Sequence, residues 1–282
     1  MDSPGDPFRP GAGDHRAGAH PGSSPLGRPA PGQYGVAVDV APAPATTFTT
    51  LVNFRDVGGV PGLDGRTVRR GRLYRSDSPH RMDDVDQAAF RALGIRTVVD
   101  LRRPSEVSRD GRIPEYAGLV YRHIHPEHPL WEETPYTEDL GLARYLADRY
   151  HDLAEIGAAG LAAAIEVIAD AAAAPLLVHC VAGKDRTGVV CALTLSLLGV
   201  ADDAIAADYA LSAEASARLS EWLATILPDT TPVPAPFLAC PAEAMRLFLT
   251  ELRDRHGSVQ RYLLGAGLDP SRIDALRAHL LN

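Results

Sequence analysis

Residues 175–198 read Pro175-Leu176-Leu177-Val178-His179-Cys180-Val181-Ala182-Gly183-Lys184-Asp185-Arg186-Thr187-Gly188-Val189-Val190-Cys191-Ala192-Leu193-Thr194-Leu195-Ser196-Leu197-Leu198. The short apolar run Pro175–Val178 reads as a buried strand. Val189–Leu198 reads as an apolar helix, and Gly199 can close it. A cysteine therefore stands at the end of a strand, a helix begins within one loop of it, and an arginine follows six positions later.

That order of residues has a chemical consequence. A strand–loop–helix turn aims backbone N–H groups into one concavity, and the helix start adds about half a positive charge, which together make an anion site. A thiol placed there beside Arg186 is pushed toward thiolate; cysteines in comparable settings ionise at about 3.5–7.5. The planar fork of Arg186 matches two oxygens of a phosphate. A nucleophilic sulfur under a cradled phosphate is a device for covalent phosphoryl transfer. Thr187 can offer its hydroxyl to that sulfur when it leaves, and Gly183 permits a close approach that a side chain would block. The N–H groups from Val181, Ala182 and Gly183 to Arg186 complete the cradle. A lone buried cysteine at a strand end is usually inert core, but Gly183, Arg186 and Thr187-Gly188 have no part in that reading. A nucleotide-binding loop needs glycine at 178 and Ser/Thr at 185, where this chain has Val178 and Asp185. A sulfurtransferase would not need Arg186 followed by Thr187-Gly188.

His-Cys-x5-Arg-Thr-Gly resembles the signature of the cysteine-based protein tyrosine phosphatases. Cys180-Val-Ala-Gly-Lys-Asp-Arg186 is more narrowly similar to a bacterial branch that includes a secreted mycobacterial enzyme. Asn53-Phe54-Arg55-Asp56-Val57-Gly58-Gly59 resembles that branch's opening motif, and the likeness runs from about residue 47 to the C-terminus. The resemblance implies phosphomonoester hydrolysis through a phosphocysteine, with Cys180 as nucleophile and Arg186 on the phosphate. Implied substrates are phosphotyrosine proteins or peptides, extending to phosphoserine/threonine and phosphoinositides. Lysines similar to Lys184 contact further phosphates of the inositol ring in phosphoinositide phosphatases; the alternative is a solvated loop-tip lysine. Part of the C-terminal third, about residues 202–257, is implied to form a mobile helical lid, against the plainer reading that these helices pad the sheet. The mechanism calls for no metal or cofactor. A phosphate-binding module without turnover is the competing class, although both Cys180 and Arg186 are present. Arsenate or sulfur chemistry on the same thiolate is a third.

The general acid stays open. Many tyrosine phosphatases carry it on a Trp-Pro-Asp loop, and this chain has no such tripeptide. Asp185 matches the aspartate of the bacterial motif and ranks first; its alternative is to tie down the loop. Asp100, at the end of a neighbouring strand, ranks second, with pairing to Arg102 or Arg55 as its alternative. Glu132 or Glu133 beside Trp131 ranks third. His179 reads as a loop-orienting hydrogen bonder, Cys191 and Cys240 as structural. His123, His125 and His128 have a spacing that is weak evidence for a metal.

The 282 residues allow one large domain or two small ones, and 45% hydrophobic content is ordinary for a globular chain. A net charge of −8 argues against broad nucleic-acid binding. Three cysteines without paired spacing argue against a disulfide framework and for a reducing compartment. No apolar stretch reaches membrane-spanning length, and the N-terminus has no apolar signal core. A cytoplasmic setting is expected, with export by another route left open. The sequence does not specify an oligomeric state. From Leu51 to Arg112 there are 13 arginines against 9 acidic residues, a local +4 suited to anionic substrates.

The first fifty residues hold nine prolines and eight glycines, and residues 1–46 read as a disordered extension ahead of a phosphatase-like domain over 47–282. Gly35–Val38 is a weak edge-strand candidate. The domain then alternates: strands at 71–76, 95–101 and 119–125, and a helix at 83–93 with Val85, Ala89 and Leu93 on one face and Gly94 closing it. A short helix carrying Glu106 follows Pro104, with Ser105 as its cap. Helices are predicted over roughly 139–155 and 161–172, the second with Leu161, Ile165 and Ile168 on one stripe. After the Cys180 segment come helical stretches at 204–212, 213–227, 241–256, 258–264 and 270–281, with a proline-rich linker at 228–236. Alternating strands and helices predict an α/β fold with a mostly parallel sheet covered on both faces. Ligands of such sheets lie outside the carboxyl ends of the strands, where Cys180, Asp100 and Asp77 fall.

Overall fold

The computed structural model describes residues 48–131, 134–226 and 235–282. The predicted tail, the Gly35–Val38 strand, most of the proline-rich linker, and Glu132 and Glu133 lie outside the described residues. In chain order the elements are β1 (Arg55–Asp56), β2 (Leu73–Ser76), α1 (Asp84–Ala92), β3 (Thr97–Asp100), α2 (Pro104–Asp110), β4 (Val120–His123), α3 (Leu142–Ile156), α4 (Ala158–Ile168), β5 (Leu176–His179), α5 (Asp185–Leu197), α6 (Asp202–Ala210), α7 (Ser212–Ile226), α8 (Ala235–Leu238), α9 (Ala242–His256), α10 (Val259–Gly265) and α11 (Pro270–Leu280).

The five strands form one sheet in the order β1-β2-β5-β3-β4. β2, β5, β3 and β4 are parallel, and only β1 is antiparallel, to β2. The last strand in sequence thus lies in the middle of the sheet. Its register decides the geometry of the mouth: His179 stands opposite Ser76 of β2 and Asp100 of β3. The residues that follow these three, Asp77, Leu101 and Cys180, leave the sheet at one level.

The sheet is α/β and mostly parallel, as expected, and both faces are covered. Successive strand residues point to opposite faces. Leu73, Val99, Leu176 and Val178 enter the larger core with residues of α3, α4, α5 and α9–α11, while Tyr74, Val98 and Leu177 enter a smaller one with Phe48, Leu51, Phe90 and Ile95. Burial on both sides is why these strands read as continuous apolar runs. α5, between the sheet and the outer helices, buries eleven of its thirteen residues. Leu161, Ile165 and Ile168 of α4 are fully buried.

Two local expectations change. Val85 of α1 is 70% exposed; the inward face carries Asp86 and Phe90. Phe90 has more apolar surface to bury, and Asp86 is pulled in by the N–H groups of Thr49 and Thr50, at 2.9 and 2.7 Å. Ser105 does not cap α2. Arg103 is its first non-helical residue, Pro104 fills the first turn, and the Glu106 carboxylate accepts the Arg103 N–H at 2.6 Å.

Candidate active site

β5 ends at His179, and the chain turns through Cys180–Lys184 into the first turn of α5 at Asp185. The first N–H groups of a helix have no partner within it, so those of Asp185, Arg186 and Thr187 open toward the concavity that the loop encloses. The Cys180 thiol is free, and its residue is 3% exposed.

The loop is shaped from outside by buried groups. Gly183 takes a φ of +66°, and a Cβ there would lie 2.3 Å from the Ser76 carbonyl oxygen. Its lack of a side chain serves the packing of the loop on the end of β2. The Arg75 guanidinium donates to the Gly183 carbonyl at 2.7 Å and to Asp208 Oδ2 at 2.5 Å. Arg55 donates to the other oxygen of Asp208 at 2.7 Å, so one carboxylate of α6 pairs with two arginines. Asn53 Nδ2 donates to the Ala182 carbonyl at 2.8 Å, and the Ser78 N–H donates to the Val181 carbonyl at 2.9 Å. The 53–59 motif and the Cys180 loop, far apart in sequence, are thus one hydrogen-bonded unit.

Arg186 is clamped. Nη1 donates to Glu106 Oε2 at 2.6 Å, Nη2 donates to Oε1 at 3.0 Å, and Nη1 also reaches the Leu101 carbonyl at 3.3 Å. Burial opposes the charge of this guanidinium, but Cys180 and Glu106 outweigh it and raise its basicity. Burial likewise opposes the Glu106 charge, and Arg186 brings its carboxyl below the usual range. Glu106 did not stand out in the sequence as a site residue. The available signal was its place as the third residue of a Pro-led helix, which marks a cap.

His179 Nδ1 donates to the Cys180 carbonyl at 3.0 Å. Full burial lowers its basicity to about 4, so at neutral pH the ring is uncharged and serves to orient the backbone beside the sulfur. Thr187 Oγ1 is buried and, among the described residues, has no hydrogen-bond partner.

The acid candidates separate. Asp185 heads α5 with its side chain 25% exposed. Its Oδ1 accepts the Tyr150 hydroxyl at 2.8 Å and lies 3.4 Å from Lys184 Nζ. Asp100 is wholly buried, gripped by Arg102 at 2.7–3.1 Å and by the Tyr121 hydroxyl at 2.8 Å. Burial works against its charge, yet His179 and Arg102 hold its carboxyl at about 2. Asp100 thus makes the pairing with Arg102 that stood as its alternative to the role of acid. Asp77 also turns inward, accepting the Asn53 N–H at 2.9 Å and pairing with Arg81.

Lys184 is not a solvated loop tip. It is 0% exposed, donates to the Pro236 carbonyl of α8 at 2.9 Å, and sits 5.6 Å from the Trp131 ring centroid. Cys191, inside α5, is pushed up to about 11 by burial, and burial also raises Cys240. His123, His125 and His128 belong to no cluster able to hold a metal among the described residues. No helix among those residues is long and apolar enough to cross a membrane.

A thiol at the end of the central parallel strand, beneath a helix start and beside a clamped arginine, defines the class: a phosphatase of the protein tyrosine phosphatase type. The comparisons agree. The model of the tyrosine phosphatase family matches residues 46–282. A Cupriavidus necator protein provisionally named a tyrosine-protein phosphatase is 33% identical over 256 residues, covering 83% of this chain and 87% of that one. The triple specificity protein phosphatase PtpB of Mycobacterium tuberculosis is 31% identical over 273 residues, covering 81% and 96%. A tyrosine-protein phosphatase of Nostoc commune is 25% identical over 246 residues, covering 79% and 81%. The chain belongs to the tyrosine phosphatase family and is a phosphoric-monoester hydrolase.

Proposed function

We propose that this enzyme cleaves phosphomonoesters through a phosphocysteine on Cys180. The observation that carries the reading is the Glu106 clamp: it fixes the Arg186 guanidinium, already desolvated and charged, on the same loop as the sulfur. Arg186 and the N–H groups from Val181 to Arg186 hold the phosphoryl oxygens. The Cys180 thiolate attacks phosphorus as the ester oxygen departs with a proton from Asp185. Water, activated by the Asp185 carboxylate, then attacks the thiophosphate, and the sulfur leaves as thiolate. The unpartnered hydroxyl of Thr187 supports a role in stabilising that sulfur. The chemistry uses no metal, so turnover persists in EDTA.

Substrates of the proposed reaction are phosphotyrosine proteins, with phosphoserine/threonine and phosphoinositides as further classes. That the mycobacterial relative is a triple specificity protein phosphatase supports breadth of substrate. The lipid class rests on Lys184, whose ammonium adjoins the loop beneath the Pro236 carbonyl. That contact also supports reading the helices after α6 as a cover for the mouth.

The test is Cys180→Ser in the full chain, with p-nitrophenyl phosphate as substrate. Loss of hydrolysis with an unchanged circular dichroism spectrum is expected; substantial remaining turnover rules out Cys180 as the nucleophile. Acid quenching of the wild type during turnover should trap phosphate on Cys180. Vanadate binding without any trapped phosphate or phosphate burst would instead favour a phosphate-recognition module.

A further inference from the structure

We propose that Tyr150 and Tyr209 are a positioning pair for the acid–base step, a buried two-phenol chain that holds the Asp185 carboxylate by one oxygen. The proposal rests on the reading of Asp185 as the general acid.

The chain has a defined direction. The Tyr150 hydroxyl, from α3, donates to Asp185 Oδ1 at 2.8 Å. The two phenol oxygens are 2.6 Å apart. A phenol has a single hydrogen. That of Tyr150 is given to the carboxylate, so the hydrogen between the phenols comes from Tyr209 of α6. The order is Tyr209 to Tyr150 to Asp185.

The pair is held rigidly. Tyr150 is 0% and Tyr209 1% exposed. Their rings meet edge to face at 5.9 Å, and Tyr150 packs edge to face on Phe248 of α9 at 6.1 Å. Tyr209 also lies under the first turn of α5, where a Cβ on Gly188 would come within 3.1 Å of its ring. Burial, reinforced by the Asp185 charge, pushes both phenols well above their ordinary range, so they remain donors throughout the working pH range.

The groups that face Asp185 are Tyr150 from α3, Tyr209 from α6, Lys184 and Arg186 on its own loop and helix, and Cys240 ahead of α9. The Tyr150 hydroxyl donates to Oδ1, and Lys184 Nζ lies 3.4 Å from the same oxygen. Fixing Oδ1 at two points restricts rotation of the carboxyl and so sets the direction in which it meets the leaving oxygen and the attacking water.

The experiment uses the full chain and its variants Tyr150→Phe, Tyr209→Phe, Asp185→Asn and Tyr150→Phe/Asp185→Asn. kcat/KM is measured on p-nitrophenyl phosphate and on phenyl phosphate, whose leaving group needs the proton more. Tyr150→Phe removes one oxygen and keeps the ring packing. It should lower kcat/KM on phenyl phosphate several-fold more than on p-nitrophenyl phosphate. Tyr209→Phe should do the same to a lesser degree. In the Asp185→Asn background, Tyr150→Phe should have no further effect on either substrate.

Equal losses on both substrates, or the same loss with and without Asp185, overturn the proposal and leave the tyrosines as packing. If Asp185→Asn itself leaves the leaving-group dependence unchanged, the acid assignment falls and the positioning pair falls with it. If Asp185→Asn steepens that dependence and Tyr150→Phe does not, only the pair falls.

Discussion

The Arg75 guanidinium, 1% exposed, donates to the carbonyl of Gly183 at 2.7 Å. One hydrogen bond therefore joins the end of β2 to the tip of the loop that follows Cys180. Arg75 is stabilised in turn by Asp208 of α6, which also takes Arg55. The loop's shape thus depends on an anion that belongs neither to the loop nor to the sheet.

Removing that anion should be costly. Asp208→Asn leaves two desolvated guanidinium groups without their counter-charge, and breaking a buried pair from one side costs about 3 kcal/mol or more. Urea unfolding should show a lower midpoint with an unchanged slope. Activity should also fall, because Arg75 no longer has a reason to stay beneath Gly183. An unchanged midpoint would mean that the pairs are not coupled to the fold.

Gly183→Ala should damage the site more than the fold. The substitution places an L-residue at a φ of +66° and a methyl 2.3 Å from the Ser76 carbonyl, so the loop must lift off β2. The backbone strain alone is about 1–2 kcal/mol. Vanadate affinity measured by competition should drop by about tenfold or more, since 1.4 kcal/mol corresponds to a factor of ten. Wild-type affinity would show that the loop tolerates a side chain here.

Glu106→Gln keeps an acceptor for the Arg103 N–H and removes the charge that clamps Arg186. The fork loses its fixed orientation in the free enzyme, and kcat/KM should decrease by about 10- to 100-fold, the equivalent of one charge-assisted hydrogen bond. α2 should persist, as followed by helical circular dichroism. Equal activity in the variant would assign Glu106 to capping alone.

Acid should destabilise the protein before it reaches the carboxylate range. The His179 ring is held to about 4 by burial, whereas an unfolded histidine titrates near 6.5. Its contribution is fully present above about 6.5 and is lost as pH falls through about 4, because the unfolded chain takes up the proton first. The shift corresponds to about 3 kcal/mol. His128, lowered to about 4 mainly by burial, adds to the same window. The urea midpoint should therefore decline from pH 7 to pH 4, and His179→Gln should flatten that decline. Asp100, held at about 2, contributes above about 4 and is lost only below that. A midpoint constant down to pH 4 would contradict this order.

Local sequence carries the strand–loop–helix unit because its signals are local. The apolar run before His179, the glycine inside the loop and the arginine at the helix start each dictate backbone or charge within a few residues. The periodic stripe of α4 was readable for the same reason, whereas Val85 was misassigned because a four-residue spacing does not say which face of α1 a neighbour will cover. Asp185 ranked above Asp100 by its place in the motif, but the sequence did not say what either side chain would touch. Asp100 met Arg102 and Tyr121 in a closed interior, Asp185 the mouth of the loop.

Sequence alone determined the chemistry: a thiol, an arginine and a set of N–H donors held on ten consecutive residues, where chain geometry leaves them no other relation. Only the tertiary structure decided what surrounds them. Placing β5 between β2 and β3 is a long-range choice with no local signal, and it is what sets Arg75, Glu106, Tyr150 and Asp208 around the loop. Each of those side chains acts by filling an electrostatic or hydrogen-bonding vacancy that exists only once the strands and helices have packed.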